Sequence, residues 1–232
     1  MYILRYQEND LNTANLYLNQ GLISKISSLN PSVISITGAF EPERQRVVDF
    51  IKNIYKQSYN ADINVTYPMI MSVRNADDEI LAAVGVRYAD KEALFLEQYL
   101  DQPIETVLDC ERAQIIEIGN LASAGKGASA FLFAALASYL ENQKIRYATI
   151  TGTQFLHRYF KRTGLNPKEL CRAHLNNISE QDTDWGTYYD TEPRVLVGNV
   201  DTGVARLKAL FGADFRECRP RLFPRLHFKA EH

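Results

Sequence analysis

The stretch Gln114-Ile-Ile-Glu-Ile-Gly-Asn-Leu121, running on into Ala122-Ser-Ala-Gly-Lys-Gly-Ala-Ser129, sets the reading of this chain. Its first half is apolar and β-branched and predicts a strand, with Glu117 and Asn120 set into it. Gly125-Lys126-Gly127 then forms a loop before an apolar helix that extends to about Asn142. Glycines let several backbone N–H groups turn towards one point, and a helix N-terminus adds positive partial charge there. Lys126 brings a full charge to the same loop. A strand, such a loop and a helix together can hold a phosphate; the alternative is a plain Gly-rich turn. The spacing is neither GxxxxGK[ST] nor GxGxxG, so neither a nucleotide P-loop nor a dinucleotide turn is indicated.

Working outward, Val33 to Thr37 reads as a strand, and Gly38 and Pro42 separate it from a helix that places Val47, Ile51, Ile54 and Tyr55 on one face. Tyr67 to Arg74 and Ile80 to Tyr88 read as two strands joined by Asn75-Ala-Asp-Asp78, a turn composition that predicts a hairpin. Ala93 to Gln98 reads as a further short strand. Beyond the central helix come a strand at Tyr147 to Thr151, a helix at Gln154 to Arg162 ended by Gly164, late strands at Trp185 to Tyr189 and Arg194 to Val200, and a helix at Val204 to Phe211. This order implies an α/β chain with a mixed central sheet flanked by helices. Residues 1–200 are expected to form one domain, with residues 201–232 as a basic C-terminal helix and tail.

Composition narrows the function classes. The 232 residues are 46% hydrophobic and 23% charged, the values of a folded globular chain. Lys and Arg number 26 against 28 Asp and Glu, for a net charge of -2, which argues against a nucleic-acid binder. Cys110, Cys171 and Cys218 are far apart, and His157, His174, His227 and His232 have no metal-ligand spacing, so no metal is expected. Glu8 and Asp10 interrupt the start of the chain too early for a secretory signal. The most apolar stretch, Ala128 to Leu140, falls short of the ~20 residues needed to span a bilayer. The expectation is a cytoplasmic protein.

The loop resembles the Gly-x-Gly pyrophosphate loop of the GNAT acyltransferases, which grips coenzyme A, although their Arg or Gln three residues before the first Gly is Ala122 here. Tyr159-Phe160-Lys-Arg-Thr-Gly164-Leu165 resembles the end of the penultimate GNAT helix. Glu117-Ile-Gly-Asn120-Leu-Ala122 is similar to the Glu-x-x-Arg-x-Ala stretch of acyl-homoserine-lactone synthases and of the related N-acyl amino acid synthases. The chain as a whole resembles the thermostable hemolysin family. That likeness rests on Leu94-Phe-Leu-Glu-Gln-Tyr-Leu-Asp101 with Pro103-Ile-Glu105, on Glu117 to Ala122, and on Trp185-Gly-Thr-Tyr-Tyr-Asp190 with Pro193-Arg-Val195. It implies a GNAT-like fold related to the autoinducer synthases.

The implied reaction is attack of an amine on an acyl thioester, with acyl-CoA or a phosphopantetheine-linked acyl carrier protein as donor and an amino acid or other small amine as acceptor. The resemblance gives Glu117 and Asn120 to catalysis. It gives Leu121, Ala122, Gly125, Lys126, Gly127 and Ala128 to the donor. Acceptor recognition falls to Glu97 and Gln98 on a strand edge, to Trp185, and to Arg194 as a partner for a carboxylate. Each has a structural alternative: a buried carboxylate satisfied by amides or an Arg, solvent-facing strand residues, a core aromatic, a surface Arg. Asn120 stands where the synthases have Arg, so lactone synthesis from S-adenosylmethionine is not implied. The GNAT general-acid Tyr falls on Phe160, and Tyr159 is expected to face elsewhere. The tail from Val204 combines Arg206, Lys208, Arg216, Arg219, Arg221, Arg225 and Lys229 with Phe211, Phe215, Phe223 and Phe228, a composition suited to an acidic carrier protein or an anionic membrane. Its plainer reading is a solvated tail. Two other function classes compete: a membrane-active lysin acting directly on bilayers, and a non-catalytic acyl-ligand-binding module.

Overall fold

A computed structural model describes residues 1–218 except 10, 26 and 180–182. The elements are β1 (Tyr2–Glu8), β2 (Leu11–Leu18), α1 (Gln20–Ile23), β3 (Pro31–Thr37), α2 (Arg44–Tyr59), β4 (Met69–Asn75), β5 (Ile80–Tyr88), α3 (Ile104–Leu108), β6 (Ile115–Ser123), α4 (Ala128–Asn142), β7 (Tyr147–Gly152), α5 (Gln154–Thr163), β8 (Lys168–Arg172), β9 (Arg194–Asn199), α6 (Val200–Phe211) and β10 (Asp214–Glu217). Ten strands form one sheet in the order β10-β2-β1-β3-β4-β5-β6-β7-β9-β8. The β1–β3 and β6–β7 pairs are parallel and the other neighbours antiparallel. The mixed sheet that the element order implied is present.

Helix α4 covers one face of the sheet and α2 the other. Almost every side chain of α4 is buried, because it lies between the sheet and α6. α2 buries only Val47, Ile51 and Tyr55, the stripe its periodicity gives. The β4–β5 turn forms as its composition dictates. The Asn75 side-chain oxygen accepts from the amides of Asp77 and Glu79, and Asp78 takes the left-handed conformation.

Two expected strands are not strands. Ala93 to Gln98 curls into a 3-10 turn at Phe95–Tyr99. The Glu97 carboxylate accepts from the amides of Leu94 and Ile104 and pairs with Arg112 at 2.8 Å, which winds the segment around it. Trp185 to Tyr189 is a turn leading into a 3-10 helix at Tyr188–Thr191. The Thr187 amide donates to the Tyr59 carbonyl at the end of α2, so it has no sheet partner. The hairpin β1–β2 and the edge strands β8 and β10 were not read from the sequence. β10 pairs with β2, which ties residues 214–217 into the sheet. The tail residues from Arg219 onward lie outside the described residues.

Tyr67 is held by absent side chains. Its ring lies across two glycines that face each other in the β5–β6 register, Gly85 and Gly119. A Cβ at Gly85 would stand 2.4 Å from the Tyr67 Cγ, and one at Gly119 1.9 Å from the hydroxyl oxygen. No rotation of a ring held this way relieves both clashes. Gly85→Ala or Gly119→Ala is therefore expected to destabilise the fold by about 1–3 kcal/mol or more, through overpacking of a closed site. Urea unfolding with an unchanged m-value checks this.

Candidate active site

The central strands part at the middle of the sheet. β6 and β7 pair in parallel only over Ile115–Ile118 and Tyr147–Ile150. Beyond that, β6 continues beside β5 to Ser123 and β7 beside β9 to Gly152. The parting coincides with a bulge, where Asn120 and Leu121 together face Val84 and Asn120 takes a φ of 48°. A bulge removes its residues from the regular ladder and turns their backbone groups aside. A cleft of about 220 Å³ opens there, lined by Tyr59, Leu121, Ser123, Ser129, Thr153 and Tyr159 among others.

The glycine loop runs between Ser123 and Ser129, which both line this cleft. Gly125, Lys126 and Gly127 all take positive φ, and Gly127 precedes the first turn of α4. Ser27 holds the loop by donating its hydroxyl proton to the Lys126 carbonyl at 2.6 Å. The Lys126 side chain is exposed. Ala122 pairs with Ala83 on β5, and Ala128 is buried, its amide committed to the Gly125 carbonyl. On the far side of the parting lies an apolar cavity of about 100 Å³ walled by Phe133, Leu136, Ala148, Gly203 and Leu207. Ile150 lines both spaces.

Glu117 is 1% exposed. Its carboxylate accepts from the amides of Phe95 (2.7 Å) and Leu96 (3.0 Å). Arg87 lies directly across the β5–β6 ladder, and the Tyr67 hydroxyl stands against the carboxylate. Burial outweighs these stabilising contacts and raises the Glu117 carboxyl to about 7. Burial also pushes the Tyr67 phenol well above its ordinary value, so it keeps its proton. Between Tyr67 and the surface is a small pocket, about 40 Å³, walled by Phe95, Tyr99, Trp185, Tyr188 and Tyr189 with Asn120 and Thr151 at its base. Three buried polar atoms on this pocket have no protein partner: Asn120 Oδ1, Thr151 Oγ1 and Trp185 Nε1. Leaving such atoms unpaired costs stability, which marks the pocket as built for a polar occupant.

The structure divides the residues singled out from sequence. Glu117, Asn120, Leu121 and Trp185 converge on the parted strands, with Gly125 to Gly127 between the cleft-lining Ser123 and Ser129. Glu97, Gln98 and Arg194 are engaged elsewhere. Glu97 binds Arg112. Gln98 accepts from the Ser179 amide and hydroxyl, and Arg194 pairs with Glu169 at 2.7 Å. Tyr159, expected to face away, lines the cleft, while Phe160 is buried against Phe133. Tyr67, Tyr99 and Thr151 were not foreseen, because they reach the site from separate elements and no local motif joins them.

A parted pair of central strands, a glycine loop on the following helix and a buried carboxylate beneath the cleft make this a GNAT-like fold. The chain belongs to the thermostable hemolysin family, whose profile matches residues 38–204. Among solved structures it is similar to the acyl-homoserine-lactone synthase LasI, with 13% identity, a TM-score of 0.56, and 80% of this chain covering 98% of that one. It is also similar to FeeM, an N-acyl amino acid synthase from uncultured soil microbes, with 13% identity, a TM-score of 0.52, and coverage of 76% and 95%. A third similar structure is BjaI, a CoA-dependent acyl-homoserine-lactone synthase solved with SAM and isopentyl-CoA, at 9% identity, TM-score 0.52, and coverage of 76% and 87%. No curated protein matches. At these identities the likeness establishes the fold. Among the described residues no helix is long and apolar enough to cross a membrane, and no cluster of His, Cys, Asp and Glu could hold a metal ion.

The Glu117 shift has a consequence for stability. The folded state holds the proton more tightly than the unfolded chain, so this group's contribution is complete below about pH 4.5 and is lost as pH rises through about 7. Between those limits the wild type is expected to lose roughly 3 kcal/mol that Glu117→Gln does not lose. Chemical denaturation of both proteins from pH 4.5 to 8 checks this.

Proposed function

We propose that this chain is an N-acyltransferase that moves an acyl group from an acyl-CoA or acyl carrier protein thioester to the amine of a small acceptor. The observation that carries the reading is the adjacency of three spaces at the parting of β6 and β7: the aromatic pocket and the cleft share Tyr55, Thr151 and Tyr188, and the cleft and the apolar cavity share Ile150. Part of the donor set supports this reading, although Ala122 lies in the β5 ladder and the Ala128 amide is committed to the Gly125 carbonyl. The N-terminus of α4 and Lys126 suit a pyrophosphate or phosphopantetheine phosphate, the cleft suits a pantetheine arm, and the apolar cavity suits the start of an acyl chain.

In this reading the acceptor amine attacks the thioester carbonyl carbon. The backbone N–H at Leu121 donates to the carbonyl oxygen as it gains charge. The amine proton passes to the Glu117 carboxylate through the Tyr67 hydroxyl, and the high burial of Glu117 sets its basicity near neutrality. As the tetrahedral intermediate collapses, the carbon–sulfur bond breaks and the thiolate takes the Tyr159 proton. Burial raises that phenol above its ordinary value, so it is protonated at neutral pH. The lytic activity in the family's name then follows from an acylated, surface-active product. One observation favours a second reading, a non-catalytic acyl-ligand sensor: Ala122 and Asn120 stand where related enzymes carry charged or amide side chains. That reading predicts donor binding without turnover.

Purified protein, acyl-CoAs of graded length and a pool of small amines are expected to give amine-dependent thiol release. Its kcat/KM should rise as pH passes through about 7 and lose that limb in Glu117→Gln. Lys126→Ala should raise the KM for acyl-CoA by roughly 2- to 10-fold, the loss of one exposed charge contact. Gly203→Trp should shorten the preferred acyl chain by filling the apolar cavity. Thermal stabilisation by acyl-CoA with no thiol release from any amine, from CoA or carrier-protein donors, would leave the sensor reading standing alone.

A further inference from the structure

The aromatic pocket says more about the acceptor than that it is an amine. Its three unpartnered polar atoms differ in what they require. Asn120 Oδ1 can only accept a hydrogen bond, Trp185 Nε1 can only donate one, and Thr151 Oγ1 can do either. Asn120 is 8% exposed, its side chain lies beside Tyr55, and its Oδ1 has no partner among the described residues. An occupant that satisfies the pair must present an N–H to Asn120 and an oxygen or other acceptor to Trp185.

The electrostatics select among such molecules. Among the described residues, no Lys, Arg, Asp or Glu lines the pocket. Its walls are Phe95, Tyr99, Trp185, Tyr188 and Tyr189, whose ring faces attract an ammonium and which bring no cation to a carboxylate. Asp62 and Asp184 join the segments beside Asn64 and Trp185 by a pair of backbone hydrogen bonds. Lys52 pairs with Asp62 at 3.5 Å. Arg194, the residue expected to hold an acceptor carboxylate, is bound to Glu169 and does not line the pocket. A carboxylate desolvated here would have no cation to repay its burial. The volume, about 40 Å³, is room for a group of a few heavy atoms, since one water needs about 10–15 Å³ on the same measure.

We propose that the acceptor is a small amino alcohol, with its amine on Asn120 Oδ1 and its uncharged oxygen on Trp185 Nε1, and that amino acids are discriminated against for lack of a carboxylate partner. This inference rests on the acyltransferase reading above. In the step it describes, the amine nitrogen forms a bond to the acyl carbon, the carbon–sulfur bond breaks, and the proton lost by nitrogen balances the one gained by the thiolate. The products are an N-acyl amino alcohol and a free thiol.

The test uses the full chain, a saturating acyl-CoA and an amine-free buffer. Ethanolamine, 2-aminopropanol, ethylamine, glycine, serine and homoserine lactone are compared by thiol release and product mass. The amino alcohols are expected to exceed glycine and serine in kcat/KM by about tenfold or more, the scale of one unpaired buried polar group. Trp185→Phe keeps the aromatic wall and removes the N–H. It should lower kcat/KM for ethanolamine by about 2- to 10-fold more than for ethylamine, the worth of one hydrogen bond. A melting temperature close to wild type confirms that the variant is folded. Equal or better turnover of amino acids, or an equal effect of Trp185→Phe on ethylamine, overturns the acceptor assignment while the acyltransferase reading survives. Absence of thiol release with every amine overturns both.

Discussion

Everything functional in this molecule depends on two parallel strands that stop pairing halfway along their length. A parallel pair left intact from Ile115 to Ser123 would close the sheet, and helices on both faces would seal it. The bulge at Asn120 and Leu121 prevents that. It puts two residues of β6 opposite the single Val84 of β5, so β6 keeps its antiparallel neighbour and turns from β7. β7 is kept in the sheet by β9 instead. The cost is a left-handed Asn120, one of the few side chains that tolerate that conformation. What the chain gains is a gap crossing the sheet, with backbone groups and polar side chains turned into it.

Two carboxylates, the partly buried Glu97 and the buried Glu117, shape the wall of that gap. Glu97 winds the Phe95–Tyr99 turn by accepting the Leu94 amide at its start, and ties the turn to α3 by accepting the Ile104 amide. Glu117 then receives the Phe95 and Leu96 amides from the same turn. The aromatic side of the pocket is thereby fixed to the central strand. Glu117 has both a structural role and a chemical one. The amides that hold the turn also lower its basicity, while burial raises it by more, and the balance falls near neutrality. Tyr67 completes the arrangement. It lies flat on Gly85 and Gly119, between the carboxylate and the pocket, where any side chain on those two residues would displace it.

Much of this was legible in the sequence, wherever the signal was local. The strand from Gln114, the Gly125–Gly127 loop and the apolar helix after it are consecutive in the chain, and their hydrophobic periods and turn residues are enough to read them. The same holds for the β4–β5 hairpin and for the stop of α5 at Gly164, which takes a φ of 76°. Glu117 and Asn120 were visible as polar residues in an apolar strand. The segments around Glu97 and Trp185 were misread as strands because their residues have β propensity, but their backbone amides are claimed by a carboxylate and by the end of α2.

By itself the sequence determined the central strand–loop–helix run, the mixed sheet and the family, because each is written in neighbouring residues. Only the tertiary structure decided which polar residues face the site. Arg194 and Glu97 carry the right charges for a binding site, yet both are committed to partners 25 and 15 residues away in the chain. Tyr67, Thr151 and Trp185 meet at one pocket from three elements far apart in sequence. A side chain's chemistry belongs to the residue, but its availability depends on what the fold brings against it, and no local pattern records that.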